Sequence, residues 1–191
     1  MGLFIRRSDV PIPTRAANYK SHLRIDFRWR CAYCETTGVD HFRPKAKFPE
    51  LDCHYPNLYY YCCNQCNSHK GSAWPSTERE AAGGGFVDPC VRDPFKHDLS
   101  EESTGRVSAR TEAGAYTLRR LSLNRPELIR FRVRRRSIGD RIEKLREIVT
   151  KPESHLDAAR RRAMAAILDE LSLEWEAAFN GVPWESSGWG V

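Results

Sequence analysis

Hydrophobic and polar positions follow three rhythms along this chain, and each predicts a different kind of structure. Over residues 1–30 the cations Arg6, Arg7, Arg15, Lys20, Arg24, Arg28 and Arg30 are interleaved with Phe4, Ile5, Leu23, Ile25, Phe27 and Trp29. That mixture predicts a short helix over 14–25 that leads toward Cys31. Residues 38–45 are strand-like and residues 57–63, Asn-Leu-Tyr-Tyr-Tyr-Cys-Cys, are aromatic and β-prone, so the two predict a hairpin around a long loop. A short helix carrying Asn67 should come next and stop at Gly71, with Pro75 as a further breaker. The predicted order is strand, strand, helix.

Periodicity is then lost. The glycines 83–85, the Asp-Pro pairs at 88–89 and 93–94 and the Ser/Glu cluster after them predict loop, packed as an extended cover over 76–110. From Thr111 the pattern becomes helical, with Asn124 as an N-cap and Pro126 in the first turn of a long helix. Leu128, Phe131, Ile138, Ile142, Leu145 and Val149 keep three-four spacing, interrupted by Arg135, until Lys151-Pro152 ends the run. A second helix over 154–179 has Leu156, Ala163, Ile167, Leu171 and Trp175 on one stripe, which predicts an antiparallel helical hairpin. Residues 181–191 are expected to be a mobile tail. There is no internal repeat.

Composition narrows the class. A chain of 191 residues with 40% hydrophobic and 29% charged positions fits a globular protein with a modest core. It has no apolar run long enough for a membrane span or a secretory signal. Seven cysteines are an odd count, and four of them form the pairs Cys31-Ala32-Tyr33-Cys34 and Cys63-Asn64-Gln65-Cys66. Two C-x-x-C knuckles predict a four-thiolate structural Zn²⁺ site and a reducing, cytoplasmic setting rather than disulfides. Cys53, Cys62 and Cys90 are expected to be small buried hydrophobes. The formal charge of +6 is compatible with a polyanionic partner but is weak evidence by itself.

Between the knuckles lies Gly-Val-Asp-His-Phe-Arg-Pro-Lys, which sets an acid, an imidazole and two cations side by side. Phosphodiester hydrolysis needs an activated water, a base for its proton and positive charge at the phosphate. His41 suits the base and Asp40 a metal ligand, provided the strand is locally distorted, because a regular strand would send the two side chains to opposite faces. Asn57 is placed to orient the imidazole, and Asn67 to supply a second oxygen to the cation. Carboxylate, amide, phosphate and water oxygens together suit Mg²⁺ or Mn²⁺. Arg43, Lys45 and Lys70 would face phosphates, and the arginine-rich helices after residue 111, with Arg119, Arg120, Arg130, Arg132, Arg134, Arg135 and Arg136, would grip the backbone as a clamp. A solvated helix face competes with that last reading, and His69 is divided between third ligand, phosphate contact and exposed helical histidine.

The strings CAYCE, VDHFRPK, YPNL and CCNQCNSHKG, over residues 31–71, resemble the HNH or ββα-metal endonuclease family. The nearest flavour is the branch found in bacterial anti-phage systems of the Septu and retron type, which TLRRLSLNRPELIRFR also resembles. The resemblance implies Asp40 and Asn67 on the catalytic metal, His41 as base, Asn57 as its orienter and Cys31, Cys34, Cys63 and Cys66 on zinc. Asn67 stands where the family more often has histidine, and YPNL lacks the tryptophan often found before Asn-Leu in that branch. The expected fold is α+β, a small zinc-clamped ββα core with a mostly helical C-terminal region. The expected segments are a lead-in over 1–30, nuclease core over 31–75, cover over 76–110, basic helical region over 111–180 and tail over 181–191. The implied activity is metal-dependent DNA cleavage in phage defence, silenced by a regulatory partner such as an ATPase. The alternatives are an RNA (tRNA) endonuclease with the same site and a zinc-knuckle module that binds nucleic acid without cutting.

Overall fold

The computed structural model describes residues 4, 7–10, 19–27, 31–34, 38–151 and 157–178, with the backbone alone for 38–40, 59–63 and a few other helical positions. Most of the predicted helix over 14–25 before Tyr19, together with Leu156 and the tail over 181–191, lies outside these residues. The chain divides into two compact units, Met1–Ile129 and Arg130–Val191. It is α+β, as predicted. No described helix is long and apolar enough to cross a membrane.

The first unit begins with helix α1 (Lys20–Asp26), continues through strand β1 (Gly38–His41) and two single 3-10 turns, Pro49–Leu51 and Tyr55–Asn57, and reaches strand β2 (Leu58–Cys63). β1 and β2 are antiparallel, and helix α2 (Asn64–Lys70) starts directly after β2. Gly71, at φ +51°, ends α2 by donating its N–H to the Asn67 carbonyl at 2.7 Å. Only glycine takes that conformation without a Cβ penalty, so the predicted stop is correct. Along α1 and its flanking caps, Tyr19, Leu23 and Phe27 recur every fourth residue and are buried, whereas Ile25 is exposed. Burial of Asp26 is tolerated because Arg7 Nε donates to it at 2.7 Å and the Tyr55 hydroxyl donates to it as well. Burial first, and then that hydrogen bond, push the Tyr55 phenol upward from its ordinary pKa.

The expected irregular cover over 76–110 proves to contain helix α3 (Thr77–Ala81), helix α4 (Pro94–His97) and the hairpin of β3 (Leu99–Glu101) with β4 (Val107–Ala109). The breakers read as loop act here as caps. Ser76 Oγ accepts from Arg79 N at 3.3 Å to open α3, and Gly83 and Gly84 close it by donating to the Glu80 and Arg79 carbonyls at 2.9 and 2.8 Å. Asp93 Oδ1 accepts from Phe95 N at 2.9 Å, with Pro94 in the first turn of α4. Gly105, at φ +77°, supplies the left-handed residue of the β3–β4 turn.

Helix α5 (Glu112–Arg120) starts where the helical pattern is expected to begin, and Thr111 caps it with Oγ1 accepting from Gly114 N at 3.0 Å. Asn124 is not the N-cap of the long helix α6 (Pro126–Thr150). Its amide instead makes a two-way pair with Val107, accepting from the backbone N–H and donating to the carbonyl, both at 2.8 Å. A complementary backbone edge is the stronger partner for an amide that has both a donor and an acceptor. Gly114 lies where α5 crosses the end of α4, and a Cβ built there would stand 2.1 Å from the Asp98 carbonyl oxygen. Gly114→Ala is therefore expected to lower stability by about 1–3 kcal/mol, although alanine in a helix ordinarily gains about 0.5–1 kcal/mol over glycine. Urea unfolding measures the difference, and an unchanged or higher midpoint would refute the close approach.

The second unit is an antiparallel pair, α6 beyond Ile129 and α7 (Ala158–Ala178). Arg134 Nη2 meets Glu174 Oε1 at 2.9 Å near one end, and Arg161 Nη1 donates to the Val149 carbonyl at 2.7 Å near the other. Phe131, Ile138, Ile142 and Leu145 form a cluster with Leu168, Leu171 and Trp175. Trp175 is its largest member, and truncating such a residue to alanine costs about 3–5 kcal/mol. The predicted stripe on α7 is corrected in its first half, where Ala163 and Ile167 are exposed while Met164 and Leu168 turn inward. Steps of four advance 400° and drift about 40° each, whereas alternating steps of three and four hold one face. Arg135 does not break the stripe of α6, because it and Arg132 are themselves buried, each 4% exposed.

Candidate active site and metal centre

His41 is the last residue of β1 and stands opposite Leu58. The register between the strands slips just before it: Gly38 faces Cys63, but Asp40 faces Tyr59. The slip lies on the N-terminal side of Asp40, whereas Asp40 and His41 themselves pair in regular succession with Tyr59 and Leu58, so it falls outside the dipeptide for which a distortion is expected. The backbone sets Asp40 next to His41, and its side chain lies outside the description.

His41 is half-buried. Its Nε2 is 3.0 Å from the main-chain carbonyl of Asp52 and 2.9 Å from the Asp52 carboxylate Oδ1. Both partners are acceptors, so Nε2 carries the hydrogen and donates, which in the neutral ring leaves the lone pair on Nδ1. Asp52 is thus the orienting residue that the sequence did not reveal. It lies between two 3-10 turns in a stretch without periodicity or motif, and only its position across from the end of β1 gives it the role.

Asn57 is buried but does not touch the imidazole, which corrects the expected direct contact. Its Oδ1 accepts from Arg43 N at 2.8 Å, and its Nδ2 donates to the carbonyls of Arg43 at 3.0 Å and Leu51 at 3.2 Å. Its own carbonyl accepts from Phe42 N at 2.8 Å. Asn57 therefore staples the exit of β1 to the loop that bears Asp52, and it acts on His41 through the backbone on both sides.

Two expected phosphate contacts are corrected as well. Lys70 is 1% exposed, and its Nζ donates to the His41 carbonyl at 2.6 Å. A buried ammonium needs such acceptors, so Lys70 fixes the backbone under the histidine instead of meeting substrate. Arg43 pairs through Nη2 with Glu80 on α3 and lies over the rings of Phe48 and Trp74, 5.0 and 4.9 Å from their centroids. Trp74 Nε1 donates to the other Glu80 oxygen at 2.9 Å. Arg43 is the centre of an acid-aromatic clamp. The arginines of α6 differ from a free basic face in the same way, because Arg132 is buried and Arg134 is paired with Glu174 while Arg136 is only half-exposed.

Three expected residues do come together. A cleft of about 310 Å³ is lined by His41, Lys45 and Asn67, with Pro44, Ala46, Gly71 and Ser72 completing its wall. Lys45 is exposed and Asn67 half-buried. His69, exposed on α2, is not among the lining residues.

Below this hairpin sits the cysteine cluster. Cys31, Cys34 and Cys66 are buried, and their sulfurs lie within 4.8 Å of one another. A tetrahedral zinc with Zn–S bonds of about 2.3 Å holds its sulfurs roughly 3.8 Å apart, so three buried thiols at this spacing can hold a metal ion such as zinc. Cys63 ends β2 one residue before α2, and its side chain lies outside the description. Cys53 and Cys90 are half-buried rather than fully buried. Tyr33 N donates to Cys31 Sγ at 3.5 Å inside the knuckle. Arg125, between α5 and α6, reaches the cluster through Nη2, 3.7 Å from Cys34 Sγ and 3.5 Å from Cys66 Sγ, while its Nη1 donates to the Leu121 carbonyl at 3.0 Å. Its guanidinium stands where it offsets the negative charge that sulfurs carry as metal ligands. No spacing rule links Arg125 to cysteines so distant in sequence, and the motifs could not have found it.

The chain matches no protein-family model, and no curated protein and no solved structure is significantly similar to it.

Proposed function

We propose that this protein is a metal-dependent endonuclease of the HNH kind that hydrolyses phosphodiester bonds, with DNA as the substrate. One observation carries the reading: the Asp52 acceptors hold His41 Nε2, and the ring opens on a cleft shared with Lys45 and Asn67. An imidazole with one nitrogen anchored and the other unprotonated is a general base, able to take the proton of an attacking water. Lys45 brings positive charge to the phosphate. Asn67 and Asp40 offer the hard oxygen donors that suit Mg²⁺ or Mn²⁺, and the ion when bound would stabilise the charge developing on the phosphoryl oxygens. Asn57 and Lys70 hold the backbone on either side of the base, and the cysteine cluster, with Cys63 as fourth ligand to a structural zinc, would tie β2 and α2 to the first knuckle. A role in phage defence, under control of a partner such as an ATPase, fits the sequence resemblance.

Incubating supercoiled plasmid and a structured RNA with the purified protein and Mg²⁺ or Mn²⁺ tests the reading. Nicked or linear DNA that disappears with a chelator is the expected result. Cleavage of the RNA alone would move the substrate to the other nucleic acid. Binding to both without cleavage of either would leave a zinc-knuckle binding module in place of an enzyme.

A further inference from the structure

Most cations expected to meet phosphate are engaged elsewhere, yet two members of the expected clamp, Arg119 and Arg120, converge with Arg79, which the sequence did not single out, on one cleft. Arg79 from α3 and Arg119 and Arg120 from the last turn of α5 line, with Tyr116, a cleft of about 300 Å³ in the first unit. Tyr116, Arg119 and Arg120 share one face of α5 by their three- and four-residue spacing. Arg79 closes the opposite side, with its Cζ 5.1 Å from the Tyr116 ring centroid, and Arg120 Cζ lies 5.6 Å from the same centroid. We propose that this cleft binds a phosphate of the nucleic-acid backbone, as a second anchor for the strand cut at His41.

Four observations carry the proposal, which rests on the nuclease reading above. Cation–π contact with the tyrosine ring engages the charge of both guanidinium groups without using up their N–H donors, which stay available to phosphate oxygens. Those donors have little else to bind: among the described residues neither Arg119 nor Arg120 has a carboxylate partner, and Arg79 has only Glu112, 3.7 Å away and well exposed. The Tyr116 side chain is 4% exposed and backs the cleft as a rigid wall under the guanidinium groups, its hydroxyl buried away from solvent. Finally, the path of Arg79 is built in, because a Cβ at Gly84 would stand 2.8 Å from Arg79 Cγ and 3.1 Å from its Nε. Cations at a helix C-terminus favour the helix dipole, which accounts for Arg119 and Arg120 on α5 and for Arg79 in the last turn of α3, but not for their convergence around one ring. The cleft is also mechanically tied to the active-site strand, since Glu80, the neighbour of Arg79, holds Arg43 two residues beyond His41.

The test compares Arg79→Gln/Arg119→Gln/Arg120→Gln with a charge-matched control, Arg106→Gln/Arg141→Gln/Arg162→Gln, both in a His41→Ala background so that the nucleic acid stays whole. Fluorescence anisotropy with duplex DNA and RNA oligonucleotides of two sequences, over a range of salt, gives affinity and salt slope. The cleft variant is expected to bind about tenfold or more weakly and to lose roughly one to two units of slope, equally for both sequences, with an unchanged melting temperature and a much smaller effect in the control. Unchanged affinity and slope, or an equal loss in the control, overturns the proposal while leaving nuclease activity, measured separately on the parent protein, intact. Pyrophosphate binding that the triple variant abolishes without affecting nucleic-acid binding also overturns it, and assigns the cleft to a small phosphate ligand. A parent protein that neither binds nor cuts nucleic acid ends both readings.

Discussion

His41→Ala is expected to lower metal-dependent cleavage by about 10²- to 10⁴-fold, the usual contribution of a positioned general base, while folding and nucleic-acid affinity change little. The fold is insulated because what holds this position is backbone. Its carbonyl accepts from Lys70 Nζ, Phe42 N donates to the Asn57 carbonyl, and the Asn57 amide binds Arg43, all independent of the imidazole. The geometry also ranks its neighbours. Asp52→Ala removes the carboxylate at 2.9 Å but keeps the main-chain carbonyl at 3.0 Å, so Nε2 retains an acceptor and the rate should fall by roughly tenfold or less. Asn57→Ala should do more than its distance from the ring suggests, since it releases both the strand exit and the loop that carries Asp52. Single-turnover cleavage gives the chemical step and anisotropy the affinity. If His41→Ala cuts within about threefold of the parent, the base is another residue and the nuclease reading loses its central support.

These rankings also mark what a sequence can convey. The order of strand, strand and helix was legible because it rests on local rules: β-prone aromatics in 57–63 and a glycine that must end α2. The Asp-Pro pair at 93–94 carried a helix start as plainly, but read as punctuation alone it looked like loop. Side-chain direction is another matter. Arg43, Lys70 and Arg132 have the chemistry to meet a phosphate, but Arg43 is half-buried and paired with an acid over aromatic rings, Lys70 is buried under the His41 carbonyl, and Arg132 is buried along α6. Type states what a residue can do, and only packing states where it points. The same limit hid Asp52 and Arg125, whose roles arise from contacts made across eleven or more residues, with no motif to announce them.

Substituting Cys34 and Cys66 together by serine is expected to abolish binding of one zinc per chain and to unfold much of the first unit. Size and burial both point to this outcome. Cys31 and Cys66 are fully buried and Cys34 nearly so, and their cluster joins the segment before β1 to the start of α2, two parts of the chain that the small β1–β2 sheet alone would hold poorly. Structural zinc sites contribute on the order of 10 kcal/mol or more to the folding of small domains, far beyond what one such sheet supplies. A serine pair would leave buried hydroxyls in place of ligands and deprive the Arg125 guanidinium of both sulfurs it reaches. Arg125→Gln then separates ligation from support. Removing an outer partner of a metal ligand typically costs about 10- to 100-fold in affinity, so this variant should still take up a full equivalent of zinc but lose it to a chelator at lower concentration. Elemental analysis gives the stoichiometry, and the thiolate bands of a cobalt-substituted sample report the ligands directly. Less than about half an equivalent in the folded parent, or zinc retained by the double serine variant, would mean that these cysteines are buried thiols and that the hairpin is held by its core alone.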